Sequence, residues 1–109
     1  MAQRSLLIGI DSGTQSTKAL IVDAVSGRVL GEGSAPHTLL SGLPAGAKEQ
    51  DPAQWVRATT RAIQAALKSA KAKATEVVAI GVSGQQHGFV ALDAQNRVIR
   101  PAKLWCDTV

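Results

Sequence analysis

"IGIDSGTQSTK", residues 8–18, directly follows the apolar pair Leu6-Leu7 and runs into "ALIVDA", residues 19–24. Residues 5–10 read as a buried strand and "KALIVDA", 18–24, as a second one. Between them residues 11–17 carry no aliphatic side chain, whereas a hairpin needs only two or three turn residues. An acid, a glycine among small polar residues and then a lysine predict a loop that holds a ligand.

Working outward, "SGRVLGEGSAP" (26–36) supplies a turn at Ser26-Gly27 and a third strand, so the first three strands form an antiparallel meander. Residues 37–50 have two glycines, a proline and no period, and read as a loop. Asp51 as N-cap, Pro52 at the first helical position and Gln54 completing a capping box predict a helix start. Val56, Thr59, Ile63, Ala66, Leu67 and Ala70 then make its apolar stripe. "EVVAIGVSG" (76–84) is apolar and β-branched, which predicts a central strand covered on both faces. "GFVALDAQNRVIRP" (88–101) reads as a further hairpin. Its "LDAQNRVI" echoes "VDAVSGRVL" (22–30), as two turns of the same chemistry would. The order β-β-β-α-β makes the sheet mixed, with the fourth strand returning parallel to the first. The polar loop and "SGQQHG" (83–88) then share the carboxyl edge, where α/β sheets bind ligands.

The 109 residues amount to one small domain or part of a larger one. A single cysteine, Cys106, excludes an intrachain disulfide and fits a reducing compartment. No stretch approaches the roughly 20 apolar residues of a membrane span, and Asp11 interrupts the only run that could start a signal peptide. The expectation is a cytoplasmic chain without a membrane partner. The net charge of +4 does not argue for nucleic acid: Lys68, Lys71 and Lys73 gather at a helix C-terminus, where cations complement the dipole. No basic stretch is interleaved with stacking aromatics.

Asp11 ends the first strand, where a carboxylate faces Mg²⁺ directly or through water. Gly13 permits a tight turn. Thr14, Gln15, Ser16 and Thr17 offer donors to an anion, and Lys18 adds charge. Neither the Walker A spacing nor G-x-G-x-x-G is present, and a polar hairpin with Asp11 satisfying its own backbone accounts for the same residues. Gln85, Gln86 and His87 between two glycines suit the reading of hydroxyl groups, although a lone histidine is more often structural. In "LWCDT" (104–108) an indole precedes a carboxylate, which fits either a sugar face with its hydroxyls or a core tryptophan beside a surface acid. Cys106 has no base near it in sequence, and His37 sits in a loop without a chemical partner.

Taken together, "IGIDSGTQSTK", "EQDPAQWV", "IGVSGQQHG" and "RPAKLWCDT" resemble the N-terminal region of the FGGY carbohydrate kinases, from about Leu6 to the last residue. The resemblance implies an α/β, ribonuclease-H-like (actin-like ATPase) fold, of which residues 1–109 would be an incomplete N-terminal domain. It implies ATP as co-substrate with Mg²⁺, the metal organised by Asp11 through water. Gly13, Thr14, Gln15, Ser16 and Lys18 would face the ATP phosphates, and Gln86, His87, Trp105 and Asp107 a ketose. "GQQHG" favours a pentulose over glycerol, with D-xylulose converted to D-xylulose 5-phosphate ahead of ribulose or another sugar. Family members are several-fold longer, and their catalytic base and adenosine-binding segments lie downstream. The expectation is therefore a fragment without turnover of its own, from a protein compatible with a homodimer. Two other classes remain open: an actin- or chaperone-like nucleotide-binding scaffold, which would ignore free ketose, and a non-catalytic interaction remnant, which would be a stable monomer.

Overall fold

The structure, a computed structural model, describes residues 4–109. Its elements are β1 (Leu6–Ser12), β2 (Ser16–Asp23), β3 (Val29–Pro36), β4 (Glu49–Gln50), α1 (Pro52–Ala70), a 3₁₀ turn (Ala74–Glu76), β5 (Val77–Gly84) and β6 (Ala102–Lys103). The main sheet has the order β3-β2-β1-β5, and β4 pairs with β6 in a separate ribbon. The meander is antiparallel, and β5 lies parallel to β1 with Asp11 opposite Ser83 and Ser12 opposite Gly84. The expected mixed sheet is present, and both parallel strands end at one edge.

The polar stretch is shorter as a loop than its composition suggests. Ladder pairing carries β1 through Asp11 and Ser12 and starts β2 at Ser16, leaving Gly13–Gln15 to turn. The two echoed turns do share their chemistry. Asp23 Oδ1 accepts from the N–H of Val25 and Ser26, and Asp93 Oδ1 from those of Gln95 and Arg97. A residue at positive φ, Gly27 or Asn96, closes each turn. In 88–101 this turn and the single bridge between Leu92 and Val98 replace the full hairpin expected.

Helix α1 begins as its sequence predicts: Asp51 Oδ1 accepts from Ala53 N–H at 3.0 Å, and Pro52 occupies the first turn. Gln54, however, bonds Thr38 instead of completing a capping box. The buried stripe is also rotated from the expected one, running Ala58, Ala62, Ala66, Ala70, with Val56 68% exposed. The helix rests on β3 and β2, where two glycines lie beneath it. A Cβ at Gly31 would stand 2.5 Å from Ala70 N, and one at Gly33 2.5 Å from the Ala62 carbonyl. Small residues on both sides let the two backbones approach. Leu6, Ile8, Ile10, Ala19 and Ile21 fill the remaining core, each of the larger ones contributing about 1.5–3 kcal/mol.

β5 departs from expectation. It is an edge strand, not a central one, and Val78, Ile80 and Val82 are 64%, 56% and 71% exposed. The reason is lateral: α1 sits over β2 and β3 and does not reach β5. Arg4 pins the start of β5 to that of β1 by a two-pronged bond to Glu76, both contacts at 2.9 Å. That guanidinium, with the Lys73 N–H, holds the Glu76 carboxyl down to about 2.

The close helix–sheet seat makes a prediction. Gly31→Ala should destabilise the fold by about 1–3 kcal/mol through overpacking. Gly9→Ala, where an added Cβ meets nothing within 4 Å, should change stability by less than about 1 kcal/mol. Urea unfolding of both variants decides it.

Candidate functional site

Side chains alternate across a strand, so the last two residues of β1 point to opposite faces of the sheet. Ser12 follows Leu6, Ile8 and Ile10 toward α1, and Asp11 projects from the uncovered face, exposed to solvent. Asp11 lies between Lys18 of β2 and Ser83 of β5 in the ladder. The turn Gly13–Ser16, with Asp11, Lys18 and Trp105, lines a groove of about 360 Å³. On the other side of the turn a cleft of about 280 Å³ is lined by Ser12, Trp55, Gly84, Gln85, His87, Gly88 and Leu104. The expected phosphate-facing residues therefore converge. His87 lies across the turn from them, and Trp105, expected beside His87, lines the groove with Asp11 and Lys18.

Thr14 joins the two sides. Its hydroxyl donates to Gln85 Oε1 at 3.1 Å and accepts from Trp105 Nε1 at 3.0 Å. Its carbonyl accepts from Gln50 Nε2 at 2.7 Å, and Gln50 Oε1 in turn accepts from Trp55 Nε1 at 2.8 Å. Gln50 is completely buried. Behind the turn, Thr17 Oγ1 donates to Ser12 Oγ at 3.3 Å and shares a 2.7 Å hydrogen bond with His37 Nε2. The His37 N–H donates to the Gln15 carbonyl at 2.8 Å. His37 is thus a buried brace for the turn, its Nδ1 without a partner.

Asp107 is fully engaged. Its Oδ2 accepts from Lys48 N–H at 2.9 Å and its Oδ1 from Val109 N–H at 2.9 Å, with Lys103 Nζ at 3.4 Å. The side chain is only 3% exposed, and those backbone donors, aided by Lys103, hold its carboxyl below the usual range. It fastens the loop that carries Trp105 to residues 46–48. By contrast Asp11, Gln15, Ser16, Lys18, Gln86 and His87 make no side-chain hydrogen bond among the described residues, and all but Ser16 are exposed. His87 is held at φ 60° between its glycines. His37, set aside in the sequence as a loop residue, is the brace behind the turn; the residues that sequence reasoning passed over are Gln50 and Trp55. Their signal lay in "EQDPAQWV", where an amide precedes the N-cap and a tryptophan falls in the first helical turn.

Comparison with known proteins gives a consistent result. The model described as the FGGY family of carbohydrate kinases, N-terminal domain, matches residues 6–109. A xylulose kinase of Streptomyces coelicolor is 48% identical over 106 residues, covering 97% of this chain and 21% of that protein. One from an Arthrobacter strain is 46% identical over 103 residues, covering 94% of this chain and 95% of its own. Among solved structures, a "xyloylose kinase" from Brucella ovis superposes with a TM-score of 0.86 at 39% identity, over 94% of this chain and 21% of that one. The chain thus spans about a fifth of the length of the Streptomyces relative. No helix among the described residues is long and apolar enough to cross a membrane.

The engagement of Asp107 sets a pH expectation. Its carboxyl is lowered in the folded chain, so it stabilises the docked loop fully above the ordinary value of 3.8 and loses that contribution as pH falls below it. The Trp105 indole resonance should move toward its released position as pH falls below that ordinary value. In Asp107→Ala it should already be there at neutral pH.

Proposed function

This chain belongs to the FGGY family of carbohydrate kinases, and from that premise we propose that it is the sugar- and phosphate-facing N-terminal part of an ATP-dependent pentulose kinase. The substrate proposed is D-xylulose, phosphorylated to D-xylulose 5-phosphate, in keeping with the name that its relatives carry. The observation that carries the reading is Thr14. One hydroxyl on the phosphate-facing turn is bonded at once to Gln85 of the sugar-facing loop and to Trp105.

Phosphoryl transfer asks the protein for alignment and charge neutralisation more than for covalent chemistry. The groups able to serve are those not committed to the frame. Lys18 and the donors of Gly13–Ser16 border one groove and suit an anionic phosphate chain. Asp11 suits Mg²⁺: a single exposed carboxylate beside that groove, with no cluster of three ligating side chains among the described residues, matches an ion that keeps its waters and shares phosphate oxygens. Bound there, the ion would supply neutralisation of phosphate charge. Gln86 and His87 offer donors and acceptors to the ketose hydroxyls, and the Trp105 ring offers a flat apolar face to its C–H surface. Asp107 contributes by fastening the Trp105 loop. No carboxylate lines the His87 cleft, so the base that deprotonates the attacking hydroxyl is assigned to a longer polypeptide carrying this chain. ATP, the reducing cytoplasm and a homodimer belong to that longer protein under this reading.

The test is ADP release by the longest natural polypeptide carrying this chain, with D-xylulose, D-ribulose and glycerol compared. D-xylulose should give the highest kcat/KM, the 109-residue chain alone should give no turnover, and chelation of Mg²⁺ should abolish activity. His87→Ala should raise KM for D-xylulose about 10–100-fold through lost hydroxyl contacts while leaving KM for ATP within about two-fold. A preference for another acceptor, or an equal rise in both KM values, would refute the assignment.

A further inference from the structure

The geometry points to Gln50 as a positioning residue that couples the His87 cleft to the phosphate-facing groove; this inference rests on the kinase reading above. Gln50 touches neither proposed ligand. It is completely buried, yet both ends of its amide are spent on the site. The Nε2 donates to the Thr14 carbonyl at 2.7 Å, and the Oε1 accepts from Trp55 Nε1 at 2.8 Å and from Gln85 Nε2 at 3.4 Å. Trp55 and Gln85 line the His87 cleft, and Thr14 lines the groove with Asp11 and Lys18. One side chain therefore spans both sides of the turn.

The physical consequence follows from the peptide plane. The Thr14 carbonyl and the Gln15 N–H belong to one rigid trans unit and point in opposite directions. Holding the carbonyl inward on Gln50 turns the Gln15 N–H away from it, outward from the turn, as an anion site requires. A ligand in the His87 cleft that moves Trp55 or Gln85 acts on the same amide, and so on that N–H. Thr14 passes the effect further, because its hydroxyl bonds Gln85 on one side and Trp105 on the other. Sugar occupancy thus prepares the phosphate side, and by reciprocity phosphate occupancy prepares the sugar side.

Gln50→Glu separates the two halves of this device. It keeps the shape and the acceptor for Trp55 but removes the donor to the Thr14 carbonyl. In the full-length kinase, D-xylulose should tighten binding of a non-hydrolysable ATP analogue by about five-fold or more. In Gln50→Glu that factor should fall to about one, with kcat down about 10²-fold and the separate affinity for D-xylulose within about two-fold. The unmutated protein gives an independent measure through two N–H resonances: D-xylulose alone should shift the Gln15 amide, and the nucleotide analogue alone should shift the Trp55 indole. An unchanged coupling factor in the variant overturns the inference. So does a wild-type protein that binds both ligands while D-xylulose leaves the Gln15 amide unmoved and the nucleotide analogue leaves the Trp55 indole unmoved. Failure of the wild type to bind D-xylulose at all overturns the kinase reading instead, and the inference with it.

Discussion

Helix α1 rides on bare backbone. With Gly31 and Gly33 beneath Ala62, Ala66 and Ala70, any added Cβ on the sheet side would meet helix atoms at 2.5 Å. Close packing of this kind is gained from small residues on both partners, and it determines where the helix lies across the sheet. Because α1 is seated over β3 and β2, its first turn sets Asp51, Gln54 and Trp55 beside the carboxyl edge. Its far end delivers the chain through residues 71–76 to the start of β1, where Arg4 and Glu76 meet. β5 then has one place to go, parallel to β1, and the turn after β1 and the loop after β5 arrive side by side.

At that edge, strand alternation divides the labour. Asp11 and Ser12 are neighbours in sequence but face opposite sides of the sheet, one toward Lys18 and the open groove, the other toward Trp55 and the cleft. A phosphate donor and a hydroxyl acceptor held on either side of the Gly13–Ser16 turn would meet at its crest, where Thr14 stands. The buried bracing of the turn by His37 and Thr17 gives that crest a fixed shape. Preformed geometry of this sort is what a transfer reaction governed by alignment needs.

Much of this was legible in the sequence wherever a local rule had no rival. The meander, the Asp51-Pro52 helix start and the twin Asx turns each follow from short-range chemistry, and the structure has them all. The phase of the α1 stripe was not legible. Val56 and Ile63 outweigh alanines in any count of apolar residues, but directly over the glycine floor only alanines fit, Ile63 and Leu67 pack half-buried beside it and Val56 turns outward; that floor lies more than twenty residues away in sequence. The edge position of β5 was hidden for a related reason: its apolar content says what it can bury, not what reaches it. In the site, the charged and ring-bearing residues drew attention, while Gln50 and Trp55 read as parts of a helix start. Asp107 was read as facing a sugar, and its carboxylate instead spends its acceptors on Lys48 and Val109.

Why a glutamine should occupy the centre follows from what meets there. A backbone carbonyl and an indole N–H converge on a position with no access to water, so the residue must donate to one and accept from the other. A lysine only donates and a carboxylate only accepts. Either would also bring an uncompensated charge into the interior, a few residues from the proposed anion site. An amide meets both demands and stays neutral. Around Gln50 the frame is accordingly built from amides, hydroxyls and indoles that bond one another, with Asp11 and Lys18 carrying charge at the rim of the groove. Under the proposed reading, charge held there would act on the phosphate ligand, because no side chain of the frame hydrogen-bonds either residue among the described residues.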